Sequence, residues 1–323
     1  MVEIGYHASH EQFAPGDLLS LVQRADRAGF TCAMCSDHFH PWSKAQGESG
    51  HAWSWLGSAM ATTPIPFGVV TCPTGRYHPA VIAQAAATLA DMHVDRFWLA
   101  VGSGEALNET ITGERWPAKD ERNARLRAAV EVMRTLWNGE EVSRKGPVTV
   151  EHARLYTRPM QPLPVFAAAL SEDTARWAAG WADGLITISM PRDKLEKVIG
   201  AFRDSGGEGK PVHLQVKLSY DETDEKALQG AFEQWKTNIF AAPISEELRT
   251  PEQFAAVAEH VREEDMPPHV RISSDLQRHV DWLRGDIALG VDQIYLHNVN
   301  RQQARFIDAF GEHVLPALRE GVA

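Results

Sequence analysis

Eight short apolar segments punctuate this sequence from end to end, and longer amphipathic stretches separate them. The segments run Glu3 to His7, Thr31 to Ser36, Pro66 to Thr71, Arg96 to Val101, Val165 to Ala169, Gly184 to Ser189, Val212 to Ser219 and Gln293 to His297. Such runs read as buried strands, and the stretches between them repeat with the period of helices that bury one face. Helices are expected at Asp17 to Ala28, Pro79 to Met92, Glu121 to Trp137, Ser171 to Ala182, Arg192 to Arg203, Glu225 to Phe240 and Asp275 to Leu289. Strands that alternate with helices build a parallel sheet, and eight of them fit a closed (β/α)8 TIM barrel better than an open sheet. At 323 residues and 44% hydrophobic, the chain suits one barrel domain over residues 1–323. The segment Trp42 to Trp55 reads as an inserted loop, and Thr237 to Pro268 as an insertion with a helix or two of its own.

Charge narrows the partners. The formal net charge is -11, with 43 acidic against 32 basic residues, and no basic stripe is present to neutralise a phosphate backbone or an anionic membrane. The expected partner is a small molecule. The opening MVEIGYHASHEQF lacks the basic and apolar regions of a secretory signal, so a cytoplasmic protein is expected. The three cysteines, Cys32, Cys35 and Cys72, suit free thiols rather than a disulfide framework. Cys32 and Cys35 lie three apart in a strand, on opposite faces, and read as core.

Catalytic residues of such barrels come from the C-terminal ends of the strands and the loops that follow. There this sequence gathers His10, Glu11, Asp37, His38, His40, Arg76, His78, Glu105 and Asn108. His38 and His40, two apart at a strand end, point the same way. That spacing suits either of two chemistries. As metal ligands of a barrel hydrolase they need partners from other strands, but the fifth and sixth strands end in AAALS and ITIS. As acid–base groups, one imidazole beside Asp37 and Trp42 takes an alcohol proton while hydride departs. The run Val101 to Glu109, VGSGEALNE, follows a strand with glycines that let backbone approach a flat ring or a phosphate. Glu105 in it serves as a proton donor or acceptor when partly buried. His38 and Glu105 are expected to meet across a flat redox ring, and Trp42, Trp53 and Trp55 either to wall off a pocket or to pack their loop onto the barrel. No Gly-x-Ser-x-Gly elbow and no complete dinucleotide fingerprint is present.

The runs GYHASHEQFAP, SDHFHPW, RYHPAVIAQAAATLADM, VGSGEALNE and ERNARLRAAVEVMRTLW resemble the luciferase-like monooxygenase superfamily, most closely its coenzyme F420-dependent glucose-6-phosphate dehydrogenase group, whose relatives include FMN-using members. The resemblance implies a homodimeric barrel oxidoreductase with a deazaflavin ring at its mouth. It implies that His38 is the base for the substrate hydroxyl, Glu105 the acid beside the cofactor, and Trp42 and Glu11 the residues that steady the transition state. It places Asp37, Cys72, Gly104, Asn108 and Ser171 against the cofactor, and Trp42 and Lys194 against the substrate. It also implies a non-prolyl cis peptide at Val69-Val70 that bulges under the ring. Two departures stand out. Where the group has a glycine-rich phosphate loop, this chain reads Ala169-Leu170-Ser171-Glu172-Asp173, which weakens an amide-based phosphate grip and leaves FMN as an alternative to F420. The stretch Phe254 to Val257 lacks a lysine expected for a sugar phosphate, so the expected substrate is an alcohol or carbonyl compound other than glucose 6-phosphate.

Overall fold

The computed structural model describes residues 2–320. Eight parallel strands close into a barrel: Glu3–Ala8, Cys32–Ser36, Phe67–Thr71, Phe97–Val101, Val165–Ala168, Gly184–Ile188, Val212–Ser219 and Gln293–Asn298. Each pairs in register with the strands before and after it, and the first pairs with the eighth through Glu3↔Gln293 to Tyr6↔Leu296. Closure leaves the barrel without an edge; only the two-residue strand Arg271–Ile272 is added, outside strand seven.

Packing explains why these segments become strands. Inside the barrel, Cys32, Met34, Trp98, Phe166, Ile186 and Tyr295 form one apolar cluster. Glycines on neighbouring strands make room for the large rings: a Cβ on Gly5 would lie 2.6 Å from Tyr295, and one on Gly68 2.0 Å from Trp98. The barrel base is therefore filled by side chains, which confines any ligand to the other end. Cys35 packs outward in the helix layer while Cys32 faces the interior, and all three cysteines are free and buried. Ser171, Thr223, Thr250 and Asp275 cap helices through their side chains. No described helix is long and apolar enough to cross a membrane.

Three sequence expectations are corrected. The last four residues of the Trp42 to Trp55 loop are the start of a helix, Ala52–Thr62, that buries Trp53 and Trp55. Its sequence AWSWLGSAMAT is apolar nearly all round, so no stripe marks it as helical. A hairpin of Val142–Arg144 and Val150–Ala153 follows the helix Lys119–Trp137; its strands are too short for an alternation to register. Finally, no cis peptide occurs among the described residues. Val69 and Val70 sit in an uninterrupted ladder, paired with Cys35 and Ser36 on one side and Leu99 and Ala100 on the other. A bulge would break both ladders.

Candidate active site

The first strand ends at Ala8 and turns at once, so that Glu11 is buried beneath the barrel mouth with its carboxylate accepting from Ser9 Oγ at 2.8 Å. The second strand ends at Ser36, and the loop beyond it carries His38. Two outside groups fix that loop. Asn108 Oδ1 accepts from the backbone N–H of Phe39 and His40, at 2.7 and 2.8 Å, and Ser49 Oγ donates to the His38 carbonyl at 2.9 Å. So held, His38 Nδ1 bonds the Glu11 carboxylate, and Nε2 lies 3.8 Å from Glu105 Oε1. Burial alone would lower the His38 pKa, but the hydrogen bond and charge of Glu11, supported by Glu105, raise it from 6.5 to about 9. Burial pushes the Glu11 carboxyl up, and the His38 bond and charge outweigh it, holding the group well below the usual carboxylate range. The pair is an imidazolium and a carboxylate at neutral pH.

Glu105 and Trp42 complete this end of a cavity of about 400 Å³, which His38, Glu105 and Trp42 all line. Trp42 meets the His38 ring edge-on, with centroids 5.3 Å apart, and meets Phe254 in the same way. His38 and Glu105 stand side by side on one wall. A ring does not fit between them, contrary to expectation, and the cavity opens beside the pair instead. Apolar side chains from several strands, including Val70, Ala168, Ile186 and Ile188, face the same space, with Gly102 and Gly104 at its rim.

A buried charge cluster underlies the wall. Asp37 accepts from Trp53 Nε1 at 2.9 Å and Thr71 Oγ1 at 2.8 Å, and pairs with Arg76 at 3.0 Å; Arg76 also pairs with Glu109. Burial raises the Glu109 pKa to about 7 against the pull of Arg76. Gly104 adopts φ 74°, and a Cβ there would lie 2.7 Å from Glu109 Cγ and 2.9 Å from Cys72 Sγ. Only glycine serves at that position.

The expected site residues thus separate into groups. His38, Trp42, Glu105, Asp37, Val70, Cys72, Gly104 and Ser171 line the cavity. Glu11 lies behind His38. Asn108 is fully buried and does not line the cavity; its amide holds the His38 loop and donates to Glu105 Oε1. Val69 packs outward in the helix layer, because alternate residues of a strand take opposite faces. Lys194 is exposed in the helix Arg192–Phe202 and does not reach the cavity. Trp53 and Trp55 are buried outside it, leaving Trp42 as the indole of that loop that reaches it. Of the other rim residues, His40 turns its Nδ1 to the Leu107 carbonyl at 3.0 Å, His10 packs under Trp55, and His78 caps the next helix. His38 and His40 therefore engage different partners and do not converge on one point.

Sequence reasoning missed two cations. Lys119 lines the cavity from the start of the helix Lys119–Trp137. Lys217, on strand seven beside His297, is half-buried, and desolvation lowers its pKa to about 8; no partner for its ammonium occurs among the described residues. Strand parity was the available signal for Lys217, two residues beyond the cavity-lining Gln215.

An apolar-walled mouth with a clamped imidazole on one side suits a flat ring cofactor, and this is the arrangement of a barrel oxidoreductase. The model of the luciferase-like monooxygenase family matches residues 1–293, and the chain belongs to that family. It is 35% identical to an F420-dependent glucose-6-phosphate dehydrogenase of Intrasporangium calvum over 99% of both chains. Among solved structures, it resembles an F420-dependent secondary alcohol dehydrogenase in complex with an F420-acetone adduct, with a TM-score of 0.90 and 31% identity over 98% of this chain and 99% of the other. The oxygenating constituent of 3,6-diketocamphane monooxygenase from Pseudomonas putida, in complex with FMN, shares the fold alone, with a TM-score of 0.72, 14% identity and 98% of each chain covered.

Proposed function

We propose that this chain is an F420-dependent dehydrogenase that interconverts an alcohol and its carbonyl compound, with His38 exchanging the hydroxyl proton. The observation that carries this reading is the clamp on His38. Glu11 fixes Nδ1 and leaves Nε2 at the cavity wall, 3.8 Å from Glu105. The residues fit a ring cofactor: Val70, Ala168, Ile186 and Ile188 supply apolar contact, and Gly102 and Gly104 allow close approach. When bound, the deazaflavin supplies the hydride acceptor or donor. His38 donates to a carbonyl oxygen in its charged form and accepts from an alcohol in its neutral form. Trp42 would cover the reacting end, and Glu105 would give the cofactor side a proton when an alcohol is oxidised and take it back when a carbonyl compound is reduced. Asp37, Cys72 and Ser171 would contact the cofactor, and Asn108 positions the loop.

A sugar phosphate is disfavoured here because Phe254, fully buried against Trp42, occupies the stretch where the resemblance calls for a lysine, and Lys194 does not line the cavity. A small secondary alcohol is the preferred substrate, and a cytoplasmic homodimer completes the proposal. The test is anaerobic mixing of purified protein with F420 and a panel of secondary alcohols, read at the deazaflavin absorbance band. Loss of that band with at least one alcohol supports the reading. Yellow protein that consumes oxygen with reduced FMN, and no bleaching of F420, would replace it with the FMN-dependent monooxygenase alternative.

A further inference from the structure

The cavity is longer than its reactive end. From His38 and Trp42 it extends past Ser103 to Ser171, Thr174 and Trp177, so a ring seated beside His38 directs any side chain toward that far end. Phosphate-bearing ring cofactors carry their negative charge on that side chain. The far end must therefore accommodate an anion in a protein of net charge -11. The nearest helix start is poorly suited to the task. Ser171 caps the helix Glu172–Ala179 by accepting from Thr174 N, and its first turn carries Glu172 and Asp173. These carboxylates oppose an anion at the same amides.

Lys119 is the lysine or arginine that lines this cavity. Its ammonium donates to Ser103 Oγ at 3.0 Å and Glu246 Oε1 at 3.1 Å. Glu246 does not depend on that bond. Its other oxygen pairs with Arg122, which is itself buried, donates to the Pro117 carbonyl at 2.9 Å and lies over the Trp116 ring at 4.3 Å. Lys119 can therefore pass to another anion without leaving Glu246 unpaired.

We infer that Lys119 is the group that takes the phosphate-bearing tail of the cofactor, exchanging the Glu246 carboxylate for that phosphate. The helix-start amides after strand five, weakened by Glu172 and Asp173, are replaced by a side-chain cation from the neighbouring strand–helix connection. Glu246, on the segment that follows Ala242–Ser245, is the internal competitor: it occupies Lys119 while the tail is absent and rests on Arg122 when the tail is present. This assignment rests on the ring-cofactor reading above and adds to it the residue that selects for a phosphorylated cofactor.

The experiment is a direct binding titration, followed by fluorescence without turnover. It uses two pairs of probes: F420 against the same deazaflavin with its ribityl chain but no phosphate, and FMN against riboflavin. Loss of one charge-assisted hydrogen bond predicts that Lys119→Ala weakens the phosphorylated member of the bound pair by about 10- to 100-fold. The phosphate-free member should change by less than about 2-fold, and Lys119→Arg should retain most of the affinity. Glu246→Gln should tighten the phosphorylated member alone, because the competitor is gone. Unchanged thermal melting of each variant excludes misfolding as the cause. Equal weakening of both members, or no change in either, overturns the assignment while leaving the ring-cofactor reading intact. Wild-type protein that binds none of the four probes overturns both.

Discussion

His38 Nε2 stands 3.8 Å from Glu105 Oε1 while its Nδ1 is bonded to Glu11, so one imidazole lies between two carboxylates drawn from two other strands. That relationship favours the charged form of His38 at neutral pH, which suits the proton-donor role proposed for it. Carbonyl reduction should accordingly be fast near neutrality and decline above about pH 9, whereas alcohol oxidation should rise toward the same pH. Rate profiles in the two directions, measured with one substrate pair, check this; a common optimum near pH 6 would contradict it.

The same clamp shapes stability. The folded pKa of His38, raised from 6.5 to about 9, contributes stability that is fully present below the unfolded value and lost as pH rises through about 9. Glu11, held low, contributes above the ordinary carboxylate range and loses it as pH falls. Urea denaturation should show a plateau that ends near pH 6.5, a decline from about pH 6.5 to 9 and little further change from this group above that. In Glu11→Gln the alkaline decline should largely disappear.

Replacement of His38 should separate catalysis from binding. His38→Ala is expected to lower kcat by about 10²- to 10⁴-fold with little effect on cofactor affinity. It should also cost about 1–3 kcal/mol, since Glu11 keeps a buried charge and loses its partner. Steady-state kinetics and chemical denaturation of the same preparation read both effects.

Arg76 holds two buried carboxylates, Asp37 and Glu109, at the base of the cavity. Arg76→Met leaves Asp37 uncompensated, while Glu109, already raised to about 7, takes up a proton; the variant is expected to destabilise the fold by about 3–5 kcal/mol. The double variant Arg76→Met/Asp37→Asn should recover part of that loss, because the remaining buried charge has gone. Equilibrium unfolding of the set measures the recovery.

Lys217 predicts the opposite sign. Lys217 is half-buried, its ammonium has no partner among the described residues, and desolvation lowers its pKa to about 8, so keeping it charged at neutral pH opposes folding. Lys217→Met should raise stability by about 1–3 kcal/mol, seen as a higher Tm. A fall in Tm would show that the ammonium is satisfied in solution.

Much of this protein can be read directly from its residues, because the barrel is written in repeated local patterns. Each of the eight strands coincides with a short apolar run, and Glu11, His38 and Glu105 are found just past strand ends, where barrel topology places chemistry. Strand parity was sufficient to separate Cys32 from Cys35. What depends on contacts between distant segments was not legible. The direction of Asn108, toward the His38 loop rather than the cavity, is set by the backbone of residues 39 and 40. The burial of Trp53 is set by Asp37, and the exposure of Lys194 by where its helix docks.

Local periodicity and residue type thus determined the barrel and the rim that carries Glu11, His38 and Glu105, since strand and helix periods act over a few residues at a time. Tertiary structure alone decided which rim residues face the cavity, that His38 and Glu105 share one wall, and that Lys119 and Glu246 meet beside Ser103. Those outcomes depend on the packing of loops from different strands, where a few ångströms determine whether a side chain is ligand, support or core.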